Sequence, residues 1–483
     1  MSLHSFKFIL FMVGLVTVLG ILQLMRRKWE LLSRIQFFVI LIGSYFFIYL
    51  YDKICCACIF AVTIWSFIFG KLIGKYREYR NKSRMLLWGG SIGLILFLCY
   101  FKYAGFFMGG EASIILPIGI SFYVFSAISY IADVYLDRCD VETDFFIFAV
   151  YLSFFPKIIA GPIIRGKDFL PQVKGYAGIK RSGLEAGVQI FVFGLFKKMV
   201  LADHLGVFVD DVFRMPGAFN TGTVMLGAVS YSLQIYLDFS GYSDMAVGVS
   251  RMLGVDMAAN FNLPYIAESV SDFWNRWHVS LSTWLRDYVY IPLGGSRKGE
   301  GRTYLNLMIT MLVSGLWHGV GWTFVLWGVL HGVLSCFHRF AGGRNHHNAP
   351  SVLRLLRVLA TFVLVTLLWV IFRADDLVIA GRVFKAMFTV HSGINQPYTW
   401  TFFAVVVVGG ATYAAYRRSR ALWVKQGSGS QTNECRYVEN KIAGFYPLLD
   451  LSKFWNLVLF FVLCGLTIIM GYFGNTAFIY GKF

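Results

Sequence analysis

Apolar residues in this chain come in long runs separated by short polar stretches. The first, FKFILFMVGLVTVLGILQLM at residues 6 to 25, has the length of a helix that crosses a hydrocarbon core of about 30 Å. Runs of the same kind predict membrane-spanning helices at 6–25, 34–51, 54–70, 85–108 and 114–135. Further ones follow at 185–202, 223–249, 303–318, 322–340, 352–372, 399–416 and 455–473. Two segments break the pattern. The piece at 143–160 is short and ends in the breaker cluster FFPKIIAGPI. Residues 270–292 hold Asp272, Arg276, His278, Arg286 and Asp287 among spaced aromatics. That is too polar for a face turned to lipid, and it suits a helix tucked into protein. The pattern predicts an all-α polytopic membrane protein with about 11–13 transmembrane helices plus re-entrant or interfacial helices. It reads as a single integral domain over 1–483, with N-terminal helices at 1–113, a core at 114–372, and C-terminal helices and a tail at 373–483. The polar stretch 417–453, containing GSGSQTNE, predicts a cytoplasmic loop with linker character. No internal repeat is evident, which argues against an inverted-repeat transporter.

Composition agrees: 57% of residues are hydrophobic and 14% charged, about half the charge of a soluble protein. The net charge of +18 does not point to nucleic acid, because Lys and Arg cluster at the ends of apolar runs. Positive charge is retained on the cytoplasmic side. Arg26, Arg27, Lys28 and Arg34 after the first run, and Lys71 to Arg84 after the third, place those loops inside and the N-terminus outside. The acidic loop with Asp203, Asp210 and Asp211 then faces out, the basic loops at 296–302, 339–347 and 417–425 face in, and the C-terminus faces out. This parity holds if 143–160 and 270–292 do not span. The first run is too long for a signal peptide and no basic segment precedes it. The eight cysteines show no paired CxxC spacing, so they predict buried thiols and not a zinc site.

Histidines at membrane depth are costly and mark functional candidates. His278 lies in DFWNRWHVSLSTWLRDYVYIPLGGSRKG and His318 in LVSGLWHGVGW. A neutral histidine at His318 can take a proton from a hydroxyl that attacks a thioester, and Gly319 and Gly321 would let a substrate or another backbone approach. The alternative is a histidine that hydrogen-bonds helices together. The same choice stands for His278, which with Trp274, Asn275, Arg276 and Trp277 either orients a donor or polarises an acyl carbonyl, or packs. His331 and His338 sit on the next run, where His331 and Gly332 could line the same cavity but core packing is the simpler reading, and His346 and His347 read as solvated. Arg286, Arg297, Lys298 and Arg302 are either topogenic charge or phosphate ligands for a nucleotide-bearing donor. Tyr480, in FIYGKF at 478–483, is either an interfacial aromatic anchor or a hydroxyl on a tail that takes an acyl group at His318.

Several stretches carry a resemblance. They are LPIGISFYVFSAISYIADVY at 116–135, FFPKIIAGPIIR at 154–165, GLFKKMVLAD at 194–203 and YSLQIYLDFSGYSDMAVGVSRMLG at 231–254. NFNLPYIAESVSDFWNRWHVSLSTWLRDYVYIPLGG at 260–295 and SGLWHGVGWTFVLWGVLHG at 314–332 complete the series. In this order they resemble the membrane-bound O-acyltransferase family, from about residue 100 onward. The likeness is to the bacterial branch that holds alginate O-acetyltransferase and the D-alanyl transfer protein of teichoic acid. LRDYVYIPLGGSRKG favours the alginate type. Lys157 stands where the family pattern leads one to expect glutamine.

The resemblance implies a ring of tilted helices around a thin wall where a cytoplasmic tunnel meets an outer funnel. It implies that His318 is catalytic and that His278 helps form the reaction centre. It also implies transfer of an acyl group, acetyl first, from acetyl-CoA or an acyl-carrier thioester toward an exported polysaccharide, with no bound cofactor and no metal. The expected partners are an outer-face SGNH or serine-hydrolase-like acetyltransferase and polysaccharide assembly machinery, at the bacterial cytoplasmic membrane. A related branch carries a C-terminal motif like the one around Tyr480. The alternatives are D-alanyl transfer from a carrier protein and, outside the enzymes, a polysaccharide export channel or a scaffold.

Overall fold

Each apolar run closes its own backbone hydrogen bonds as a helix, because hydrocarbon offers it no other partner. The computed structural model describes residues 3–26, 31–107, 116–159, 161–342, 350–396, 398, 400–407, 409–410 and 448–474. Among the described residues no strand forms, and Phe219 and Ile394 make one isolated bridge. The chain divides into two compact units, one of residues 1–191 with 242–257 and one of 192–241 with 258–483.

The first unit contains α1 (Phe6–Arg26), α2 (Leu31–Tyr51), α3 (Lys53–Lys75), α4 (Arg80–Phe107), α5 (Ile120–Tyr135), α6 (Phe145–Ser153), α7 (Phe155–Ile158) and α8 (Gly166–Lys174). Helices α3, α4 and α5 pack on one another. Asp52 caps α3 by accepting from the Ile54 amide, and Asp144 caps α6 by accepting from Phe146 and Ile147; such caps satisfy amides that no helical carbonyl reaches. The helix expected from residue 114 starts only at Ile120. Pro117 resists entry into a helix, and Gly119 has φ +66°, where a Cβ would collide with the Ile158 carbonyl. The 143–160 segment is broken as expected. Helix α6 is nine residues long, about 13 Å, and the chain turns at Phe154 ahead of Pro156.

Lys157 is buried, with Nζ 4.1 Å from the Tyr151 ring centroid. Burial pushes its ammonium down to about 7. A lysine that titrates lower folded than unfolded costs stability fully below the folded value, and the cost lifts as pH rises toward the unfolded value near ~10.4. Lys157→Gln should therefore melt above the wild type, by most at pH 6, with the gap closing toward pH 10. Thermal unfolding in detergent across that range checks it. A variant that melts lower at pH 6 would mean that stacking on Tyr151 outweighs the desolvation.

Helix α9 (Arg181–Phe196) crosses the boundary in sequence and leads into a π-helical turn at Lys197–Ala202, then α10 (Asp203–Arg214) and α11 (Thr221–Met252). The wider π turn sets Lys198 Nζ 2.6 Å from both Asp203 Oδ1 and Asp238 Oδ1, all three buried. A Cβ on Gly241 of α11 would lie 2.8 Å from the Gly194 carbonyl of α9, the close approach that small residues permit in membranes.

The second unit continues with α12 (Val270–Arg276), α13 (Val279–Leu285), α14 (Glu300–His318), α15 (Trp322–Phe340), α16 (Ser351–Arg373), α17 (Leu377–Phe388) and α18 (Phe454–Met470). Helices α14 and α15 form a tight hairpin in which a Cβ on Gly328 would meet the Met311 carbonyl at 2.6 Å and Gly315 Cα at 3.1 Å. Helix α16 buries Val365, Trp369 and Phe372 and exposes Leu353, Leu356, Leu359 and Val363. That apolar stripe at helical spacing is what a lipid-facing helix presents. Among the described residues four helices are long and apolar enough to cross a membrane: Phe6–Met25, Lys53–Lys75, Arg80–Ala104 and Ser351–Arg373. Ile35–Tyr51, Ile120–Tyr135 and Phe454–Met470 are apolar but shorter. Helices α11, α14 and α15 are long as well, but they spend interior positions on Asp238, Asn306, His318 and His331. The protein is a multi-pass membrane protein.

Candidate functional site

Within the second unit the 270–292 segment is short helices and not a span. Ser269 caps α12 by accepting from the Asp272 amide, and the chain then bends at His278 before α13. His278 sits in the left-handed region at φ 42°, which costs a non-glycine residue about 1–2 kcal/mol. The bend is held from outside. The Val279 amide donates to the Asn260 carbonyl at 2.9 Å, and the Asn262 amide donates to the Arg276 carbonyl at 2.8 Å. Strain held this firmly is a mark of a functional position.

The ring of His278 is fully buried. Its Nδ1 lies 3.3 Å from Asn260 Oδ1. The Ser280 backbone amide also donates to that Asn260 atom, at 3.1 Å, so the atom must be the carbonyl oxygen. It follows that His278 Nδ1 carries the proton and that Nε2 presents the lone pair. Desolvation by burial pushes this histidine down to about 3, so the ring is neutral at physiological pH.

His318 is the last residue of α14 and is 3% exposed. Three aromatic rings meet it edge-on: Trp317 at 4.8 Å between centroids, Trp327 at 5.1 Å and Phe372 at 5.1 Å. Trp317 also meets the His278 ring, at 5.8 Å, so one indole touches both histidines. His278 also packs against Phe239 of α11, at 4.7 Å. Helix α11 thus carries Asp238 into the Lys198 triad and, one residue on, Phe239 onto His278.

A third histidine joins the group. His331 of α15 is fully buried, 4.6 Å from the Trp327 ring, and its Nδ1 accepts from Trp274 Nε1 at 3.3 Å. Trp274, expected beside a donor, is thus tied to the histidine cluster. Gly319 does not leave room for a substrate, as the sequence led one to expect: a Cβ there would lie 2.5 Å from the Phe324 ring, which fills the space.

Two sets of observations meet here: a buried, histidine-bearing aromatic cluster in a multi-pass protein, and the likeness of much of the chain to known ones. The model of the membrane-bound O-acyltransferase family matches residues 139–374, which contain all three histidines. A probable alginate O-acetylase of Pseudomonas putida is 41% identical over 374 residues, 74% of this chain and 76% of the relative. The chain belongs to the membrane-bound O-acyltransferase family. A peptidoglycan O-acetyltransferase of Helicobacter pylori is 36% identical over 368 residues, 68% of this chain and 69% of the relative. A teichoic acid D-alanyltransferase of Streptococcus thermophilus is more distant, 30% identical over 286 residues, 56% of this chain and 68% of the relative.

The remaining candidates of this acyltransferase are exposed or ion-paired. Arg297 and Lys298 are exposed and precede α14, whose 19 residues end at His318; that is a separation of about 28 Å along the helix. Arg286 is exposed and paired with Asp287 at 2.8 Å. Arg276 pairs with Asp272 at 2.9 Å, and Asn275 is exposed. The length of α14 thus sets Arg297 and Lys298 far from His318. Tyr480 lies outside the described residues, as do His346 and His347. Sequence reasoning passed over Asn260 and the Lys198, Asp203 and Asp238 triad. Asp238 carried a usable signal, a carboxylate inside an apolar run.

Proposed function

We propose that this enzyme takes an acetyl group from a cytoplasmic thioester, acetyl-CoA or an acyl carrier, and delivers it across the membrane for O-acetylation of an exported polysaccharide. The observation that carries the reading is that His278 and His318 both pack against Trp317, in a chain similar to two kinds of polysaccharide O-acetyltransferase. The chemistry balances within that cluster. A hydroxyl oxygen attacks the thioester carbon as His318 takes its proton, and a tetrahedral oxyanion forms. The C–S bond then breaks, the thiolate receives the proton from His318, and an oxygen ester remains. A positioned base of this kind contributes about 10²–10⁴-fold. His278 is locked in one tautomer by Asn260 and Ser280, so its role is to hold the reacting groups in place.

The setting proposed is the bacterial inner membrane, with both termini outward. Arg286, Arg297 and Lys298 would meet the donor's phosphates on the cytoplasmic side, and an outer serine-hydrolase-like acetyltransferase of the SGNH type would complete delivery with the polysaccharide assembly machinery. The first acceptor would be the Tyr480 hydroxyl on the C-terminal tail. A phenol with a pKa near ~10 is protonated at neutral pH and needs a base, and the aryl ester formed stays reactive enough to pass its acyl group on. Tyr480→Phe keeps the ring and removes only the hydroxyl. Polysaccharide acetate content in cells carrying that variant should fall to the level of a deletion strain. Wild-type acetate content would leave Tyr480 as an aromatic anchor and put the acceptor elsewhere.

A further inference from the structure

Trp274 fixes the proton of His331. An indole nitrogen only donates, so the 3.3 Å bond from Trp274 Nε1 makes His331 Nδ1 the acceptor and puts the ring proton on Nε2. That Nε2–H is buried and has no hydrogen-bond partner among the described residues. The indole N–H groups of Trp327 and Trp369 are in the same position. Trp327 lies 4.6 Å from His331, 5.1 Å from His318 and 5.7 Å from Trp369 between ring centroids. Three buried donors in one packed cluster therefore have no acceptor among the described residues. Burying an amide-like donor unpaired costs about 1–3 kcal/mol, so the cluster is built for a partner that accepts and does not donate.

We infer that His331 is a third catalytic residue, whose Nε2–H donates to the carbonyl oxygen of the acyl group and to the oxyanion that forms from it. The inference rests on the acyl-transfer reading above and adds the electrophilic half of the site. The tautomers complement each other: His278 presents a lone pair at Nε2, held by Asn260, and His331 presents a proton at Nε2, held by Trp274. A fixed donor aimed where negative charge develops acts without reorganising, and loss of one such donor costs about 10²–10³ in kcat. Trp327 is placed to supply a second.

The test is difference infrared spectroscopy of purified protein with acetyl-CoA labelled with 13C at the carbonyl, read beside steady-state kinetics. In the wild type the bound thioester carbonyl should absorb below its frequency in water. In His331→Leu the shift should be lost and kcat should fall about 10²–10³-fold, with the KM for donor within about 3-fold. His331→Gln restores an N–H near the same place and should recover at least part of both. An unshifted carbonyl in the wild type overturns the inference even if the leucine variant does not fold. So does a shift that survives in a folded leucine variant. Failure of the wild type to bind acetyl-CoA while it binds an acetylated carrier protein moves the same experiment to that thioester. Failure to bind either one sinks the thioester reading, and this inference with it.

Discussion

His318→Ala should abolish acetylation of the polymer, with the protein still reaching the membrane in normal amount. The ring that is lost is buried and touches Trp317, Trp327 and Phe372. Removing it costs packing as well as chemistry, so the fall in rate must be separated from a fall in folded protein. His318→Gln serves that purpose, since it keeps polar volume and loses the base. Both variants should lose about 10²–10⁴-fold in rate, while the glutamine variant elutes from gel filtration like the wild type. Near-normal transfer by a folded His318→Gln would return this histidine to the role of helix glue that its position at the end of α14 also allows.

The second large effect concerns stability. Lys198 is held 2.6 Å from two carboxylates, with all three side chains buried. Lys198→Met leaves those carboxylates in low dielectric without their cation. Breaking a buried ion pair from one side costs about 3–5 kcal/mol, a large part of the 5–15 kcal/mol that typically holds a domain together. The variant should therefore be scarce in membranes and melt well below the wild type in detergent. The triple variant Lys198→Met, Asp203→Asn, Asp238→Asn removes the uncompensated charge and should recover a good part of the loss. A Lys198→Met protein with wild-type melting would show that the triad is solvated or not formed. Asp238 neighbours Phe239, which packs on His278, so melting and kcat should be recorded for the same samples.

Much of this architecture is legible in the sequence because the bilayer leaves the backbone few choices. Long apolar runs become helices, and the two segments that break the pattern, the short apolar piece 143–160 and the polar stretch 270–292, become short broken helices. His278 and His318 stand out for the same reason, since an ionisable group at depth needs a purpose. What stays hidden is set by contacts distant in sequence. Asn260 fixes the His278 tautomer from 18 residues away, and Trp274 fixes that of His331 from 57 residues away. The lysine at 198 finds its second carboxylate 40 residues on. Nor does glycine content reveal what fills the freed space: beside His318 it is the Phe324 ring. Arg297 and Lys298 look adjacent to the chemistry in the linear motif, yet the whole of α14 separates them from His318.

The central claim is sided acyl transfer through the histidine cluster, and proteoliposomes test it most directly. The protein is reconstituted in one orientation, radiolabelled acetyl-CoA is supplied only to the face bearing Arg297 and Lys298, and the proposed SGNH-type acetyltransferase and polysaccharide only to the other. The account predicts labelled acetyl ester on the polysaccharide and free CoA left on the donor side with the wild type, and neither above background with His318→Gln. Label that crosses equally well with that variant, or that appears only when donor and polysaccharide share one face, would contradict it.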